Sequence, residues 1–201
     1  MLNIEPVTLE GKTVLLRLPS YDDLNGLILA ASDGEIWNNP FSFFPSINEM
    51  NGYLQELLKS SNLHLPFIIL HKPSKAIVGS TRFFNIDHNN YRLEIGHTWL
   101  AKSYRRTPVN TEAKFLMLEY AFEHLKCIAV EIRTDVLNTI SRNAIERLGA
   151  KKDGILRYHK IMKDGRIRNT VCYSITQSEW LLVKDNLLHK MLYYEKNYNK
   201  I

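Results

Sequence analysis

The sequence has few of the features that mark disulfide-rich, membrane-spanning or secreted proteins. Only two of its 201 residues are cysteines. Cys127 and Cys172 lie in apolar, strand-like runs, so we interpret them as small buried side chains in a reducing compartment. No apolar run approaches the ~18 residues that a membrane span needs, and residues 65–70 are about the longest candidate. Because the N-terminus also lacks the pattern of a signal peptide, we expect a soluble, cytoplasmic protein without a membrane partner.

Motifs for metal ions and dinucleotides are also missing. The seven histidines are scattered, and none has a Cys, Asp or Glu partner at a ligand spacing, so we expect no metal site. No Gly-x-Gly-x-x-Gly follows a strand-like run, which argues against a Rossmann enzyme. A net charge of +5 favours an anionic partner. The absence of an RNA-binding motif and the dispersed basic residues nevertheless argue against nucleic acid.

Strand-like and helix-like segments alternate along the whole chain. No repeat, low-complexity tract or linker-like stretch divides it, so we predict a single domain over residues 1–201. Apolar periodicity predicts the order β-α-α-β-β-β-α-β-α-β-β-α, with a C-terminal helix from about residue 178. The predicted strands cover residues 14–18, 66–70, 77–85, 91–100, 128–133, 155–162 and 167–175. This mixed order indicates an α+β fold around one twisted sheet.

The most informative segment is a basic loop between a strand and a buried helix. Lys102, Arg105 and Arg106 precede a helix that we expect to open at Thr111. A helix N-terminus offers unpaired N–H groups and a partial positive charge, which suit an anion such as a diphosphate. Taken alone, the loop also fits an ordinary connection whose charges are solvated.

A similar strand-to-helix junction follows at residues 134–139. Asn138 is the expected N-cap of a helix over residues 139–148, and Gly149 is its expected C′ residue. The helix from Thr111 carries apolar residues on two faces, which is typical of a helix buried against a sheet.

Five segments in this order resemble the GNAT acetyltransferase superfamily and, within it, the RimJ/RimL-like branch that acetylates protein N-termini. They are residues 9–17, 93–100, 110–113, 138–150, and 154–157 with Asp164-Gly165. The resemblance covers nearly the whole chain. It implies a GNAT-type fold, with a mixed sheet of about six to seven strands flanked by helices. It also implies an acetyl-CoA-dependent N-acetyltransferase.

The resemblance implies that acetyl-CoA, as a co-substrate, lies in a split between two parallel strands, 94–100 and 128–133. Backbone N–H groups near residues 98–100 would pair with the pantetheine and polarise the acetyl carbonyl. The implied cofactor contacts are Thr98, Trp99, Leu100, Arg105, Arg106, Thr107, Val109, Asn110, Thr111, Asn138 and Ser141.

The phosphate loop departs from the family pattern at two positions. Pro108 and Asn110 stand where the family has small residues, mostly glycine. Pro108 removes one backbone N–H that could bind phosphate, whereas Asn110 is able to adopt a left-handed conformation and its amide is able to donate. Phosphate binding should therefore depend more on arginine charge than on backbone N–H groups.

The candidate catalytic residues are Glu94, His97 and Ser141. Glu94 is the expected general base, and His97 is the alternative because its unperturbed pKa is nearest neutrality. Their spacing places them on opposite faces of a regular strand unless a bulge intervenes. Ile145 occupies the position of the family's thiolate-protonating tyrosine, so Ser141 is the expected substitute, although a serine there also serves as a simple helix cap.

The acceptor stays open at this point. The resemblance implies the N-terminal α-amine of a protein. A small amine (polyamine, aminoglycoside or amino acid) is an alternative, and so is a non-catalytic module that binds CoA or RNA, because the glycines and the tyrosine are missing. The aromatic-rich loop 37–45 is either a substrate wall or local packing. We expect a monomer or a homodimer.

Overall fold

The computed structural model describes residues 1–41, 44–59 and 64–198, so Ser42 and Phe43 of the candidate substrate wall lie outside the described residues. The strands are β1 (Leu9–Glu10), β2 (Val14–Arg17), β3 (His64–His71), β4 (Ala76–Asp87), β5 (Arg92–Leu100), β6 (Ala129–Asp135), β7 (Lys151–Ile161) and β8 (Ile167–Thr176). The helices are α1 (Leu24–Ser32), α2 (Met50–Leu58), α3 (Pro108–Glu119), α4 (Thr139–Leu148) and α5 (Gln177–Tyr198).

The strands form one mixed sheet in the order β1-β2-β3-β4-β5-β6-β8-β7. β5 and β6 are parallel, and the other neighbouring strands are antiparallel. The predicted α+β order is confirmed. The described residues form eight strands, against the predicted six to seven, because the two-residue β1 pairs with β2 through Leu9 and Leu16.

Helices cover both faces of the sheet. α1 and α2 pack around one buried cluster that includes Leu27, Met50 and Trp99. α3, α4 and α5 pack on a larger cluster that includes Met117 and Phe83. Within the described residues, no helix is long and apolar enough to cross a membrane.

The helix limits are set by local capping signals. α4 spans the predicted residues 139–148 and ends at Gly149, whose φ of +104° suits glycine. α5 begins at Gln177, close to the predicted start. α3 begins at Pro108, so our prediction of a start at Thr111 was wrong by one turn.

Candidate active site

β5 and β6 separate after a short paired stretch. Residues 92–94 pair with residues 129–131, and the pairing stops there although β5 continues to Leu100 and β6 to Asp135. Backbone N–H and C=O groups at an unpaired strand edge require other partners. An extended ligand that carries amide groups can supply them, as an added strand would. We call this gap the slot, and it corresponds to the split that the resemblance implies.

A β-bulge shapes β5 beside the slot. Ser80 pairs with Trp99 and Arg82 with Gly96. One residue of β4, Thr81, therefore opposes two residues of β5, His97 and Thr98. His97 has a φ of +49°, and such bulges bend the strand and redirect its side chains.

The bulge brings two candidate bases to one face of the sheet. Glu94 pairs with Phe84 in the β4–β5 register, and the ring centroids of Phe84 and His97 are 4.9 Å apart. Glu94 and His97 therefore lie on the same face, whereas a regular strand would place them on opposite faces. We call this side of β5, which also carries α1 and α2, the acceptor face.

Glu94 is a buried carboxylate with two partners. It is 5% exposed, accepts a hydrogen bond from Asn85 Nδ2 at 2.9 Å, and lies 3.5 Å from Arg133 Nε. Burial raises the pKa of Glu94, against the opposing effects of Asn85 and Arg133. The carboxylate is therefore a stronger base than an exposed glutamate.

His97 is neutral at physiological pH. The residue is exposed, yet the protein atoms around the ring disfavour its charged form and, with the cations Arg82 and Lys160, lower its pKa to about 4. A neutral imidazole can accept a proton, but one with this pKa is a weak base.

Ion pairs continue from Glu94 along the same face. Glu131 bridges Arg92 and Arg133, with oxygen–nitrogen distances of 2.6 Å to each. A cavity of about 190 Å³ opens here. It is lined by Asn85, Asp87, Arg92, Leu93, Glu94, Glu131 and Arg133.

The start of α3 explains the departure from the glycine pattern. Thr107 is the N-cap, and its Oγ1 accepts from Val109 N at 3.4 Å. Pro108 occupies the first helical position, where a missing N–H leaves no helix hydrogen bond unmade and the fixed φ is favourable. Asn110 lies in the helix, so it does not use the left-handed conformation open to it, and that conformation occurs instead at Arg106, with a φ of +61°.

The basic residues of the loop differ in their contacts. Lys102, Arg105 and Arg106 are exposed. Arg105 Nε donates to Leu100 O at 3.0 Å, so this guanidinium is folded back onto the end of β5. Asp33, at the end of α1, accepts from Ser103 N at 3.0 Å and fixes the start of the loop.

The start of α4 holds Asn138 and Ser141. Asn138 Oδ1 accepts from Ser141 N at 3.0 Å, so the side chain is the N-cap of α4. The Asn138 amide nitrogen and the half-buried Ser141 hydroxyl make no hydrogen bond within the described residues. Because β5 and β6 are parallel, their carboxyl ends share one edge of the sheet. The helices α3 and α4, which follow them, therefore begin beside the slot.

The loop after α1 reaches towards the β7–β8 hairpin. Arg166 Nη2 lies 2.7 Å from Asp135 Oδ2, and its guanidinium lies 5.9 Å from the ring centroid of Phe41. Arg166 is thus paired with a carboxylate, and the hairpin meets the described part of the candidate substrate wall. No group of three potential metal ligands occurs within the described residues.

Two side chains near the bulge, Tyr53 and Lys114, were absent from the sequence-based site. Trp99 Nε1 donates to Tyr53 OH at 3.2 Å, and that hydroxyl lies 2.6 Å from Ser80 Oγ. On the opposite face, Lys114 of α3 is 5% exposed and donates to Thr98 Oγ1 at 2.6 Å. The pattern contained a signal for Lys114, because its i+3, i+4 and i+7 positions are all apolar.

The comparison with known proteins decides the family. The sequence model of the acetyltransferase (GNAT) domain matches residues 13–151. The chain belongs to the GNAT acetyltransferase family. It is therefore an acetyl-CoA-dependent N-acetyltransferase, and the prediction of an enzyme of this type is confirmed.

Similar proteins extend this result to the whole fold. A GCN5-related N-acetyltransferase from Brucella melitensis is 28% identical, with a TM-score of 0.85 and coverage of 94% of this chain and 86% of that one. The N-acetyltransferase p20 of Bacillus licheniformis, itself uncharacterized, is 25% identical over 86% of this chain and 98% of its own length. RimJ of Mycobacterium smegmatis, solved with CoA-disulfide, is 20% identical with a TM-score of 0.79, and covers 92% of this chain and 95% of its own. The last likeness shows the fold alone.

Proposed function

We propose that this GNAT enzyme acetylates the N-terminal α-amine of a protein or peptide. The observation that carries the proposal is the pair of candidate bases that the bulge brings to the acceptor face, a buried carboxylate and an imidazole. His97 has a pKa of about 4, and Glu94 is a carboxylate whose pKa is raised by burial. Carboxylates and imidazoles are weaker bases than the amine of lysine, so they suit an acceptor that is already partly neutral. An α-amine has a pKa of ~7.7–8.0, whereas that of lysine is ~10.4.

Acetyl-CoA is proposed to lie in the slot. The unpaired edge of β5 at residues 98–100 supports hydrogen bonds to the pantetheine and to the thioester carbonyl. The start of α3 and the exposed Arg106 support pyrophosphate binding. The proposed cofactor contacts are Thr98, Trp99, Leu100, Arg105, Arg106, Thr107, Val109, Asn110, Thr111, Asn138 and Ser141.

The side chains at the cofactor site have separate proposed roles. Trp99 contributes only its backbone, because its indole is bonded to Tyr53 on the acceptor face. Asn138 uses its oxygen as a helix cap, and its amide nitrogen remains for the pantetheine. Arg105 and Arg106 both supply positive charge to the phosphates, and the Nε of Arg105 is at the same time bonded to the main chain.

The chemistry is a direct transfer. The neutral amine nitrogen attacks the thioester carbon, a C–N bond forms, and the C–S bond breaks. Glu94 takes the proton that the amine loses, directly or through water, and His97 is the secondary candidate. Ser141 donates a hydrogen bond to the departing thiolate, which supports the loss of the leaving group.

Two matched peptides test the acceptor. One has a free N-terminus and no lysine, and the other has the same sequence with a blocked N-terminus and one internal lysine. We expect CoA release and a mass increase of one acetyl group with the first peptide only. Preferential acetylation of the blocked peptide, or of a small polyamine in the same assay, would overturn the proposed acceptor and leave the acetyltransferase activity standing.

A further inference from the structure

Lys114 is buried in the main core on the α3 side of the sheet. The residue is 5% exposed, and the residues on its helix face, Met117, Leu118 and Ala121, are each 0% exposed. A charged side chain in such a place is costly unless an opposite charge accompanies it. Within the described residues, no carboxylate pairs with the Lys114 amine.

The partners of Lys114 are two threonine hydroxyls at the bulge. Its Nζ donates to Thr81 Oγ1 at 2.9 Å and to Thr98 Oγ1 at 2.6 Å, and the two hydroxyl oxygens lie 2.8 Å apart. The three side chains come from α3, β4 and β5. Thr81 is the residue that faces the bulge across the β4–β5 pairing, and Thr98 belongs to the bulge itself.

We propose that Lys114 is a positioning residue, which holds the bulge of β5 through the hydroxyls of Thr81 and Thr98 and so aligns the strand edge that faces the slot. This inference rests on the proposed placement of the acetyl-CoA thioester against residues 98–100. A bulge breaks the regular pairing of a strand with its neighbour, so its conformation needs support from side chains. Lys114 supplies that support directly behind the proposed cofactor contacts.

The burial of Lys114 is difficult to explain by stability alone. Burial lowers the pKa of Lys114 to about 7, which means that the fold disfavours the charged amine. An apolar side chain of similar length would fill the same space without that cost. A residue that weakens the fold and contacts the strand of the proposed site is expected when activity requires a destabilising arrangement.

The test compares Lys114→Met with Lys184→Met. Lys184 lies on α5 and pairs with Glu123 at 2.6 Å and with Glu119 at 2.9 Å, away from the bulge. For Lys114→Met we expect a Tm equal to or above that of the wild type, a CoA Kd within about threefold, and a kcat lowered roughly ten- to a hundredfold, as for a small misplacement of reacting groups. For Lys184→Met we expect the reverse pattern, with a lower Tm and an unchanged kcat.

A second variant, Thr98→Val, tests the same contact in case Lys114→Met fails to fold. Thr98→Val keeps the shape of the side chain and removes the hydroxyl, and it should lower kcat in the same direction. If the two residues act together, the double variant is no slower than Lys114→Met alone. The proposal is overturned if kcat stays within about twofold in folded Lys114→Met, if Tm and kcat fall together in both single variants, or if the two effects multiply. Acetyl-CoA turnover and CoA binding by the wild type, measured in the same assays, report separately on the proposed function.

Discussion

Charged groups lie in different environments on the two faces of β5 at the bulge. On the acceptor face, Glu94 is compensated by Asn85 and Arg133, and the ion pairs continue through Glu131. On the α3 face, a single amine, that of Lys114, is surrounded by apolar side chains and two hydroxyls. One strand therefore separates a compensated network of charges from an isolated buried amine.

This difference indicates a division of labour across the strand. Glu94 is as buried as Lys114, at 5% exposed, but it lines the cavity on the acceptor face, and its partners adjust its pKa. A group that only fixes the backbone has to be rigid, and burial provides rigidity. Changes on the acceptor face should alter chemistry, whereas changes on the α3 face should alter chemistry and stability in opposite directions.

The largest expected effect comes from Glu94→Gln. The amide keeps the shape and the bond to Asn85 but cannot take a proton, so kcat should fall by roughly a hundredfold or more, in the range of general base catalysis. CoA affinity should stay within about threefold, as measured by calorimetry. His97→Gln is the matched variant on the same face and should have the smaller effect. A larger loss in His97→Gln would exchange the roles of the two residues.

The next largest effect is expected on CoA affinity, for Arg106→Ala at the slot. Loss of one exposed guanidinium beside the start of α3 should weaken CoA binding by about tenfold. The CoA Kd of the wild type should rise with salt, because exposed charges are screened. Arg157→Ala, which removes an exposed arginine from β7, is the control and should leave the Kd unchanged. A CoA affinity that does not depend on salt would contradict the role given to arginine charge.

The sequence predicted those parts of the molecule that local signals determine. Asn138 and Gly149 mark both ends of α4, and their capping preferences act within a few residues. The start of α3 was misplaced because Thr107-Pro108 was interpreted as a disrupted glycine loop. It is an N-cap followed by proline at the first helical position.

Features that depend on contacts between distant segments were beyond the sequence. The bulge at His97 exists only relative to Thr81 on the neighbouring strand. The low pKa of His97 and the partners of Lys114 follow from that arrangement. The apolar residues at i+3, i+4 and i+7 from Lys114 indicate that its side chain is buried, but they do not indicate its role.

The dependence of stability on pH offers a physical test of the α3 face. Burial lowers the pKa of Lys114 from 10.5 to about 7. Between these values the unfolded chain holds a proton that the folded chain has released, so the free energy of unfolding rises with pH, by at most ~1.4 kcal/mol per pH unit. The Lys114→Met variant has no amine at this position, so it lacks this pH dependence. Its free energy of unfolding, measured in urea, should therefore exceed that of the wild type by less at pH 10 than at pH 7. A difference between the two proteins that does not change with pH would contradict a buried amine at Lys114.

The smallest effect is expected for Tyr53→Phe, which loosens β5 from the acceptor face instead of the α3 face. The change leaves Trp99 Nε1 without its acceptor at 3.2 Å and Ser80 Oγ without its partner at 2.6 Å. Unfolding free energy should fall by ~1–3 kcal/mol, the cost of leaving a buried hydrogen-bonding group without its partner. Turnover should change by less than in Lys114→Met, because Trp99 lies beyond the bulge. An equal or larger loss of kcat in Tyr53→Phe would mean that both faces position the strand, and the contrast between them would then be one of charge alone.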